Sequence, residues 1–486
     1  MGTETMILIG LALVFGFYMA WNIGANDVAN AMGTSVGSGA LTLKRAVILA
    51  AIMEFAGAFF VGPNVTETVR KGIVDPAVFV NDPTALVLGM IAALLAAGVW
   101  LQVASYFGWP VSTTHAIVGA IIGFGAVVGG LEAINWSWHN KGVAFIAASW
   151  VVSPLLSGFI AFVIFRLILT GIFYKPDPVA AAKKATPFIV FAVMVTMMLV
   201  LAFKGLKPFW QDNFGLKPLD TLPLTVGLSM AFVAGTLGAL ISHRLVGRIK
   251  SGDPVMAEQS RNLYLARALS KAMMHLRRVR DTAVGDTRGR ADRALQDTQA
   301  IHSELRSRTR IGGDHSAFVQ VERIFIYLQI ISAGFVAFAH GSNDVANAIG
   351  PLATAIETAK AGAIPKIAPI PLWILGLGAV GIVFGLATWG WRVMRTIGER
   401  ITELTPSRGF CAEFAAALTV LLASVYGLPI STTHTLVGGV LGVGLARGIG
   451  ALNLNTVRDI VVSWVVTLPA GAGLAIVFFY VLRVIF

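Results

Sequence analysis

The chain has 486 residues, of which 56% are hydrophobic and only 13% are charged. This composition excludes an ordinary soluble protein of this length and indicates a polytopic membrane protein. The formal net charge is +12, and the single cysteine, Cys411, excludes an internal disulfide and a cysteine-based metal cluster.

Apolar runs long enough to cross a membrane follow one another along the chain. A helix needs about 17 to 25 residues to cross roughly 30 Å of hydrocarbon. The residues before the first run include Glu4 and no lysine or arginine, which is typical of a retained span rather than a signal peptide. We therefore predict an all-α protein with about twelve transmembrane segments, at 6–22, 43–62, 84–107, 113–131, 143–172, 187–203, 222–242, 324–340, 370–391, 409–427, 433–447 and 459–485.

A polar motif follows the first apolar run and recurs in the second half of the chain. GANDVANAMG and GSNDVANAIG agree at eight of ten positions. On a helix, two asparagines four positions apart share a face with an aspartate beside them. Their oxygens suit a small hard cation at an unwound helix end, and the alternative is hydrogen bonding between helices. An aspartate at membrane depth favours the cation site, whose predicted residues are Asn26, Asp27, Asn30, Asn343, Asp344 and Asn347.

A second polar motif interrupts the apolar sequence at Pro110 and again at Pro429. PVSTTHAIVGAIIG and PISTTHTLVGGVLG agree at eight of fourteen positions. Each proline predicts a break followed by a fresh helix with Ser112 or Ser431 as its N-cap. Two such helix starts could encircle a phosphate with N–H groups and hydroxyls, although plain capping would explain a single copy. The predicted anion-binding residues are Ser112, Thr113, Thr114, Ser431, Thr432 and Thr433, with His115 and His434 as accessory residues or structural donors.

Two glutamates, Glu54 and Glu413, stand alone in apolar runs, which predicts a function rather than a surface position. They lie 359 residues apart, whereas the motif copies lie 317 and 319 residues apart, so the two glutamates do not correspond in the two halves. Buried acids would repel a bound anion unless a cation or a proton accompanied it. Loading of anion and cation would then be coupled, as in a symporter.

The nearly constant offset of the motifs divides the chain into related halves, 1–243 and 324–486. Repeats of this kind predict a substrate site near the membrane midplane, built from re-entrant helices. The loop between them, 244–323, carries 16 lysines and arginines against 9 acidic residues and includes the amphipathic pattern LYLARALSKAMMHLRRVRDTA. Its charge predicts a cytoplasmic position, and it suits a solvated helical linker or a surface for anionic lipid.

The doubled G-[AS]-N-D-V-A-N-A and P-[VI]-S-T-T-H elements resemble the PiT family of inorganic phosphate transporters. The resemblance covers both halves and excludes the central loop. It implies a twelve-segment inverted-repeat fold with re-entrant helical hairpins, in the plasma or inner membrane of the cell. It also implies uptake of phosphate by alternating access, a cytoplasmic central loop and a homodimer.

The same resemblance implies roles for the motif residues. The family's cation positions fall on the asparagines and aspartates of the first motif, and its substrate positions fall on the S-T-T residues of the second. Glu54 and Glu413 match glutamates of sodium-coupled members, where proton-coupled bacterial relatives carry amides, so these acids favour sodium. A further acid of some sodium-coupled members falls at Met90, which leaves the number of sodium ions open.

We therefore predict sodium-coupled symport of inorganic phosphate in the lipid bilayer, with no cofactor, no enzymatic activity and no nucleic-acid partner. Three alternatives share the fold: a proton-coupled phosphate symporter, a metal–phosphate symporter and a sulfate permease. A membrane hydrolase would use His115 or His434, but the chain has neither a paired-histidine metal spacing nor a G-x-S-x-G element. A receptor or scaffold would use the buried polar groups only for structure.

Overall fold

A computed structural model of the protein describes residues 2–138, 142–249, 285–310, 317–364, 370–391, 393–394, 404–448 and 454–486, together with 269, 272–273, 275–277 and 279–283. Some side chains within these ranges, including that of Asn30, lie outside the description. Over the described ranges the chain is helical, and its β structure is one isolated bridge between Val74 and Ile134. The predicted all-α class is confirmed for this part of the chain.

Helices fill most of the described ranges, and each of the twelve predicted runs overlaps a different one. The chain also forms π-helical turns at Gly24–Val28, Leu169–Phe173 and Leu201–Gly205, and 3-10 turns at Pro76–Phe79 and Leu131–Ala133. The α-helices are α1 Thr3–Ile23, α2 Ala29–Gly37, α3 Leu43–Phe60, α4 Pro63–Lys71, α5 Pro83–Phe107, α6 Thr113–Gly129, α7 Val143–Ile168, α8 Pro178–Val200, α9 Lys207–Phe214, α10 Thr221–Gly247, α11 Asp286–Arg310, α12 Ala317–Ala361, α13 Leu372–Trp389, α14 Pro406–Val425, α15 Thr432–Arg447 and α16 Leu454–Ile485.

Helix α5 shows how local sequence sets the helix ends. The Asp82 carboxylate accepts the N–H of Ala85 at 3.0 Å, and Pro83 occupies the first helical position, where its missing N–H costs nothing. Gly108 ends the helix with φ of 69°, a left-handed conformation that a residue with a Cβ rarely adopts.

Nine described helical segments are long and apolar enough to cross a membrane. Three helices at predicted spans are not among them. Helix α3 has 18 residues and contains three charged ones, Lys44, Arg45 and Glu54. Helices α6 and α15 have 17 and 16 residues, which corresponds to about 25 Å. Such short helices are compatible with re-entrant elements. The nine segments are Thr3–Gly37, Pro83–Phe107, Val143–Phe173, Pro178–Phe203, Thr221–Gly247, Ala317–Ala361, Leu372–Trp389, Pro406–Val425 and Val461–Ile485.

The two copies of the first motif differ from the predicted unwound helix ends. The first copy begins in the π-helical turn Gly24–Val28, which joins α1 to α2 without a break. The second copy lies inside α12, a continuous helix of 45 residues. The expectation of unwound backbone was wrong here because no proline precedes either copy, and the motif residues are all compatible with helical backbone.

The chain forms two compact units. The first contains residues 1–165, 195–233 and 328–486, and therefore holds both copies of both motifs. The second contains residues 166–194 and 234–327, where Phe173 packs against Phe318 and Phe325 with ring centroids 5.2 and 6.2 Å apart. The described residues of the predicted amphipathic stretch are helical up to residue 282, while Arg278 lies outside the description.

Within the first unit, glycines bring two pairs of helices into backbone contact. A methyl group on Gly119 of α6 would overlap the carbonyl of Leu468 in α16. A methyl group on Gly442 of α15 would likewise overlap the carbonyl of Gly158 in α7. Small residues allow this close approach between membrane helices, and it secures both short helices against long neighbours.

Gly442→Ala is expected to destabilise the protein by about 1–3 kcal/mol, because the added methyl group must push α15 away from α7. Thermal unfolding of detergent-purified protein measures this effect. Gly473→Ala is the matched control, since its Cβ would lie in open space on α16. Equal melting temperatures for the two variants would contradict the close packing.

Candidate ion-binding site

Helices α6 and α15 begin where the second motif predicts, at Thr113 and Thr432. The Ser112 hydroxyl accepts the N–H of His115 at 3.2 Å, and the Ser431 hydroxyl accepts that of His434 at 3.1 Å. Both serines have extended backbone, as N-cap residues do. The predicted breaks and N-caps are confirmed, and all six S-T-T side chains are buried.

The two helix starts contact each other reciprocally. The Thr114 hydroxyl donates to the carbonyl of Ile430 at 2.9 Å, and the Thr433 hydroxyl donates to the carbonyl of Val111 at 3.4 Å. Exchanging the two halves of the chain exchanges these two hydrogen bonds. The segments that precede α6 and α15 are therefore related by a local twofold symmetry.

The first asparagine of each NDVANA copy braces one of these segments. The Asn26 amide donates to the hydroxyl of Ser105 at 3.0 Å and to the carbonyl of Trp109 at 3.1 Å, and it accepts the N–H of Val111 at 3.3 Å. Asn343 makes the equivalent three contacts, with Ser424 at 3.1 Å, Leu428 at 2.9 Å and Ile430 at 3.3 Å. Each amide thus fixes the segment of chain that directly precedes an S-T-T helix.

The two aspartates engage the threonines of the helix starts. Asp27 is 2% exposed, and its Oδ2 accepts the N–H of Thr113 at 3.3 Å and its hydroxyl at 2.6 Å. Its Oδ1 accepts the hydroxyl of Thr433 at 2.9 Å. Asp344 is fully buried, and its Oδ2 accepts the hydroxyl of Thr432 at 2.7 Å. The carboxylates of Asp27 and Asp344 therefore accept hydrogen bonds from the same donor groups that the sequence predicts for binding an anion.

Buried acceptor oxygens remain beside these contacts. The Asn347 amide donates to the hydroxyls of Thr113 and Thr114 at 3.2 and 3.0 Å. Oδ1 of Asn347 and Oδ1 of Asp344 are buried and have no hydrogen-bond partner among the described residues. Buried polar atoms in proteins nearly always have a hydrogen-bond partner or a bound ion. Two acceptor oxygens without a hydrogen-bond donor, three residues apart on one helix, therefore suit the ligand set of a cation. The side chain of Asn30, the remaining predicted member of this set, lies outside the described residues.

His340 joins the site from α12, and sequence reasoning missed it. Its Nδ1 lies 2.9 Å from Oε2 of Glu54, and its Nε2 lies 2.9 Å from Oδ2 of Asp344. The available signal was its position four residues before Asp344, which places both on one helix face. With the motif offset of 317, its counterpart in the first half is Ile23, so the site departs from twofold symmetry at this point.

The position of Glu54 also departs from the twofold symmetry, as the contacts of two corresponding glycines show. Gly341 lies against the backbone of Glu54, whereas its counterpart Gly24 lies against the backbone of Ile382. Glu54 thus corresponds in space to an isoleucine. The predicted lack of correspondence between Glu54 and Glu413 agrees with this packing.

Three side chains could hold a metal ion together: Asp27, His340 and Asp344 each offer a ligand atom, and these atoms lie within 4.8 Å of one another. All three residues are buried. The carboxylate oxygens suit sodium, whereas an imidazole adds affinity for a transition metal. The arrangement can therefore combine cation ligands and anion donors in one buried place.

Comparison with known proteins decides the family. The sequence profile described as the phosphate transporter family matches residues 23–475. A putative phosphate permease of Chlamydia pneumoniae is 45% identical over 483 residues, which is 99% of each chain. The inorganic phosphate transporter 2-1, chloroplastic, of Arabidopsis thaliana is 43% identical over 98% of this chain and 73% of its own length. The chain belongs to the phosphate transporter family.

A solved structure supports the same assignment. A sodium-dependent phosphate transporter superimposes with a TM-score of 0.73 at 36% identity, covering 99% of this chain and 100% of its own. The resemblance seen in the doubled motifs is thus confirmed. The protein is a polytopic, non-enzymatic phosphate transporter, and the hydrolase alternative is excluded by its family.

In this phosphate transporter, Glu413 lies in a cluster of its own. It is fully buried, and its Oε1 accepts hydrogen bonds from Thr34 at 2.6 Å, Ser35 at 2.5 Å and Gln329 at 3.1 Å. Its Oε2 accepts the hydroxyl of Ser332 at 2.5 Å. Ser332 precedes His340 by eight residues, or about 12 Å along α12, so Glu413 does not share the hydrogen bonds of the aspartates. The four donors to Glu413 are a further set that sequence reasoning missed.

The two accessory histidines of the transporter lie in an aromatic cluster with two tryptophans. The ring centroids of His115 and His434 lie 4.4 Å apart, with the rings edge to face. His115 also packs against Trp150, and His434 against Trp464, with ring centroids 3.9 and 3.6 Å apart. They lie at a cavity of about 940 Å³ between α7, α15 and α16, which is lined mainly by apolar side chains. Neither ring nitrogen of His115 has a hydrogen-bond partner among the described residues. The arrangement shows packing, and an accessory role in transport stays a prediction.

Proposed function

We propose that this phosphate transporter is a secondary active symporter that couples phosphate uptake to sodium by alternating access. The observation that carries the proposal is the double engagement of Asp27, whose carboxylate accepts hydrogen bonds from Thr113 of one half and Thr433 of the other. The same threonines are the donors that a phosphate would need at the two helix starts.

Competition for these donors provides the coupling. A phosphate between α6 and α15 must take over N–H and hydroxyl donors that Asp27 and Asp344 engage. The two carboxylates then lose their hydrogen-bond donors while they remain buried. Burying unpaired charges costs free energy unless a cation takes the place of the lost donors. A sodium ion held by Asp27, Asp344 and Asn347 would do so. By linkage, each ion raises the affinity for the other to the same extent.

Several features support sodium as the coupling ion. Hard oxygen ligands suit it, and two intramembrane glutamates, Glu54 and Glu413, enlarge the set of acids. The solved relative at 36% identity is itself a sodium-dependent phosphate transporter. The sodium-ligand set of this proposal contains Asn26, Asp27, Asn30, Asn343, Asp344, Asn347, Glu54 and Glu413, and the phosphate set contains Ser112, Thr113, Thr114, Ser431, Thr432 and Thr433.

His340 favours one alternative specifically. Its imidazole lies in the ligand cluster with Asp27 and Asp344, and imidazole nitrogen is a usual ligand of divalent transition metals. A metal–phosphate complex is therefore the second candidate cargo. Uptake that requires a divalent metal, and that His340→Gln abolishes, would favour this cargo over sodium-coupled phosphate.

The proposal extends to the fold and its placement in the cell membrane. Reciprocal contacts at Thr114 and Thr433, together with the short helices α6 and α15, support two inverted repeats with re-entrant hairpins in a twelve-segment arrangement. The basic central loop supports a cytoplasmic position for residues 244–323.

The direct test is uptake of labelled phosphate into proteoliposomes. We expect uptake to require an inward sodium gradient and to stay low when potassium replaces sodium. Uptake that ignores sodium and follows a pH gradient would establish the proton-coupled alternative instead. Competition by sulfate at concentrations equal to those of phosphate would indicate a sulfate permease.

A further inference from the structure

A second, smaller cavity lies apart from the S-T-T helix starts, and part of its lining is polar. It has a volume of about 150 Å³, and its polar lining comes from Arg70 on α4 and from Thr354 and Thr358 on α12. Since one water needs roughly 10–15 Å³ on this scale, the cavity can hold a small ion together with water. The rest of its lining is apolar, so an ion inside would interact mainly with these three side chains.

Arg70 makes this cavity unusual. Its side chain is 6% exposed, and it is the only lysine or arginine among the described residues that is buried. Its guanidinium forms an ion pair with the carboxylate of Glu357, whose side chain is 15% exposed. A planar guanidinium offers a fork of donors that matches phosphate as well as carboxylate. Glu357 therefore occupies a place that an incoming phosphate could take.

Thr358 adds an unused polar group. It is 1% exposed, and its Oγ1 has no hydrogen-bond partner among the described residues. The neighbouring Thr354, in contrast, donates to the carbonyl of Gly350 at 3.0 Å within its own helix. A buried hydroxyl without a partner beside a buried arginine provides a further donor to an anion.

The cavity is connected to the proposed transport site through α4 and α12. Thr68 on α4 donates its hydroxyl to the carbonyl of Gly427 at 2.6 Å, just before the segment that leads into α15. On α12, Thr354 follows Asp344 by ten residues, which is about 15 Å along the helix. Glu357 lies four residues before the end of α12, at the end remote in sequence from the central loop.

We infer that this cavity is an entry subsite for inorganic phosphate, where Arg70 and Thr358 bind the anion in competition with Glu357 before it reaches the S-T-T helix starts. The inference rests on the proposed function and adds a second phosphate-binding place to it. The competition also explains why a buried arginine would be paired at this position: the carboxylate satisfies the guanidinium whenever the anion is absent.

Thr358→Val tests the subsite with little risk to folding, because the hydroxyl it removes has no partner to lose. We expect the KM for phosphate uptake to rise about tenfold with an unchanged maximal rate, the effect of losing one hydrogen bond to a charged group. Arg70→Lys keeps the charge but loses the fork, and should raise the KM as well. Thr419→Val is the matched control: its buried hydroxyl donates to Ala415 inside α14, and its KM should equal that of the wild type.

The measurement uses whole cells and inside-out vesicles, so that phosphate is presented to either face of the full-length protein. The KM should change only for the face opposite the central loop, an asymmetry that a purely structural ion pair would not produce. An unchanged KM from both faces in folded Thr358→Val and Arg70→Lys protein would overturn the inference. A lowered melting temperature of Arg70→Lys without a change in KM would also overturn it. If the wild type takes up no phosphate, the proposed function itself fails.

Discussion

Asp344→Asn is expected to reduce phosphate uptake by roughly two to three powers of ten while the protein remains folded. Asp344 accepts the Thr432 hydroxyl and lies against His340, so the amide replaces a charge in the centre of a buried polar network. Losing one partner of a buried, hydrogen-bonded charge pair costs about 2–5 kcal/mol, which corresponds to this loss. Uptake into proteoliposomes at a fixed sodium gradient measures it.

The proposed coupling predicts a second effect of Asp344→Asn, on the binding of phosphate. Sodium should raise the phosphate affinity of the wild type, and Asp344→Asn should weaken that effect, as calorimetric titration of purified protein can show. Asp297→Asn is the matched control, because this aspartate is exposed on α11. If folded Asp344→Asn protein transported phosphate at the wild-type rate, the buried acids would be structural, as the scaffold alternative predicts.

Glu413→Gln is expected to have the second largest effect. All four of the described partners of Glu413 can donate to its carboxylate, and an amide can accept at only one of its two atoms. The donors left unpaired should cost about 1–3 kcal/mol of stability. If Glu413 is a sodium ligand, the sodium concentration for half-maximal uptake should also rise about tenfold or more.

Two measurements separate these effects. The melting temperature reports the unpaired donors, and the sodium dependence of phosphate uptake reports the role in coupling. Glu132→Gln serves as the control, since Glu132 is exposed beyond the end of α6. A variant that melts early but keeps the wild-type sodium dependence would remove Glu413 from the sodium-ligand set and leave it a structural acid.

The sequence predicted the local parts of the site well because their causes are local. A proline followed by a serine breaks the chain and caps a new helix within three residues, and both S-T-T helices begin as predicted. The isolated acids were also visible, since a charge in an apolar run has no local explanation. The π-helical turn at the first NDVANA copy was missed, because the same six letters lie in regular helix at the second copy.

Residue types and short spacings were enough to predict the all-helical membrane class, the doubled motifs, the helix starts and the family resemblance. Which side chains contact each other depends instead on how the helices pack in three dimensions. His340 contacts Glu54 across 286 residues of chain, and Thr34 donates a hydrogen bond to Glu413 across 379. Such contacts depend on how distant helices pack against each other, and the spacing of residues along the chain does not give the distance between two helices in space. The asymmetry of the acids, in an otherwise reciprocal pair of helix starts, comes from the same packing.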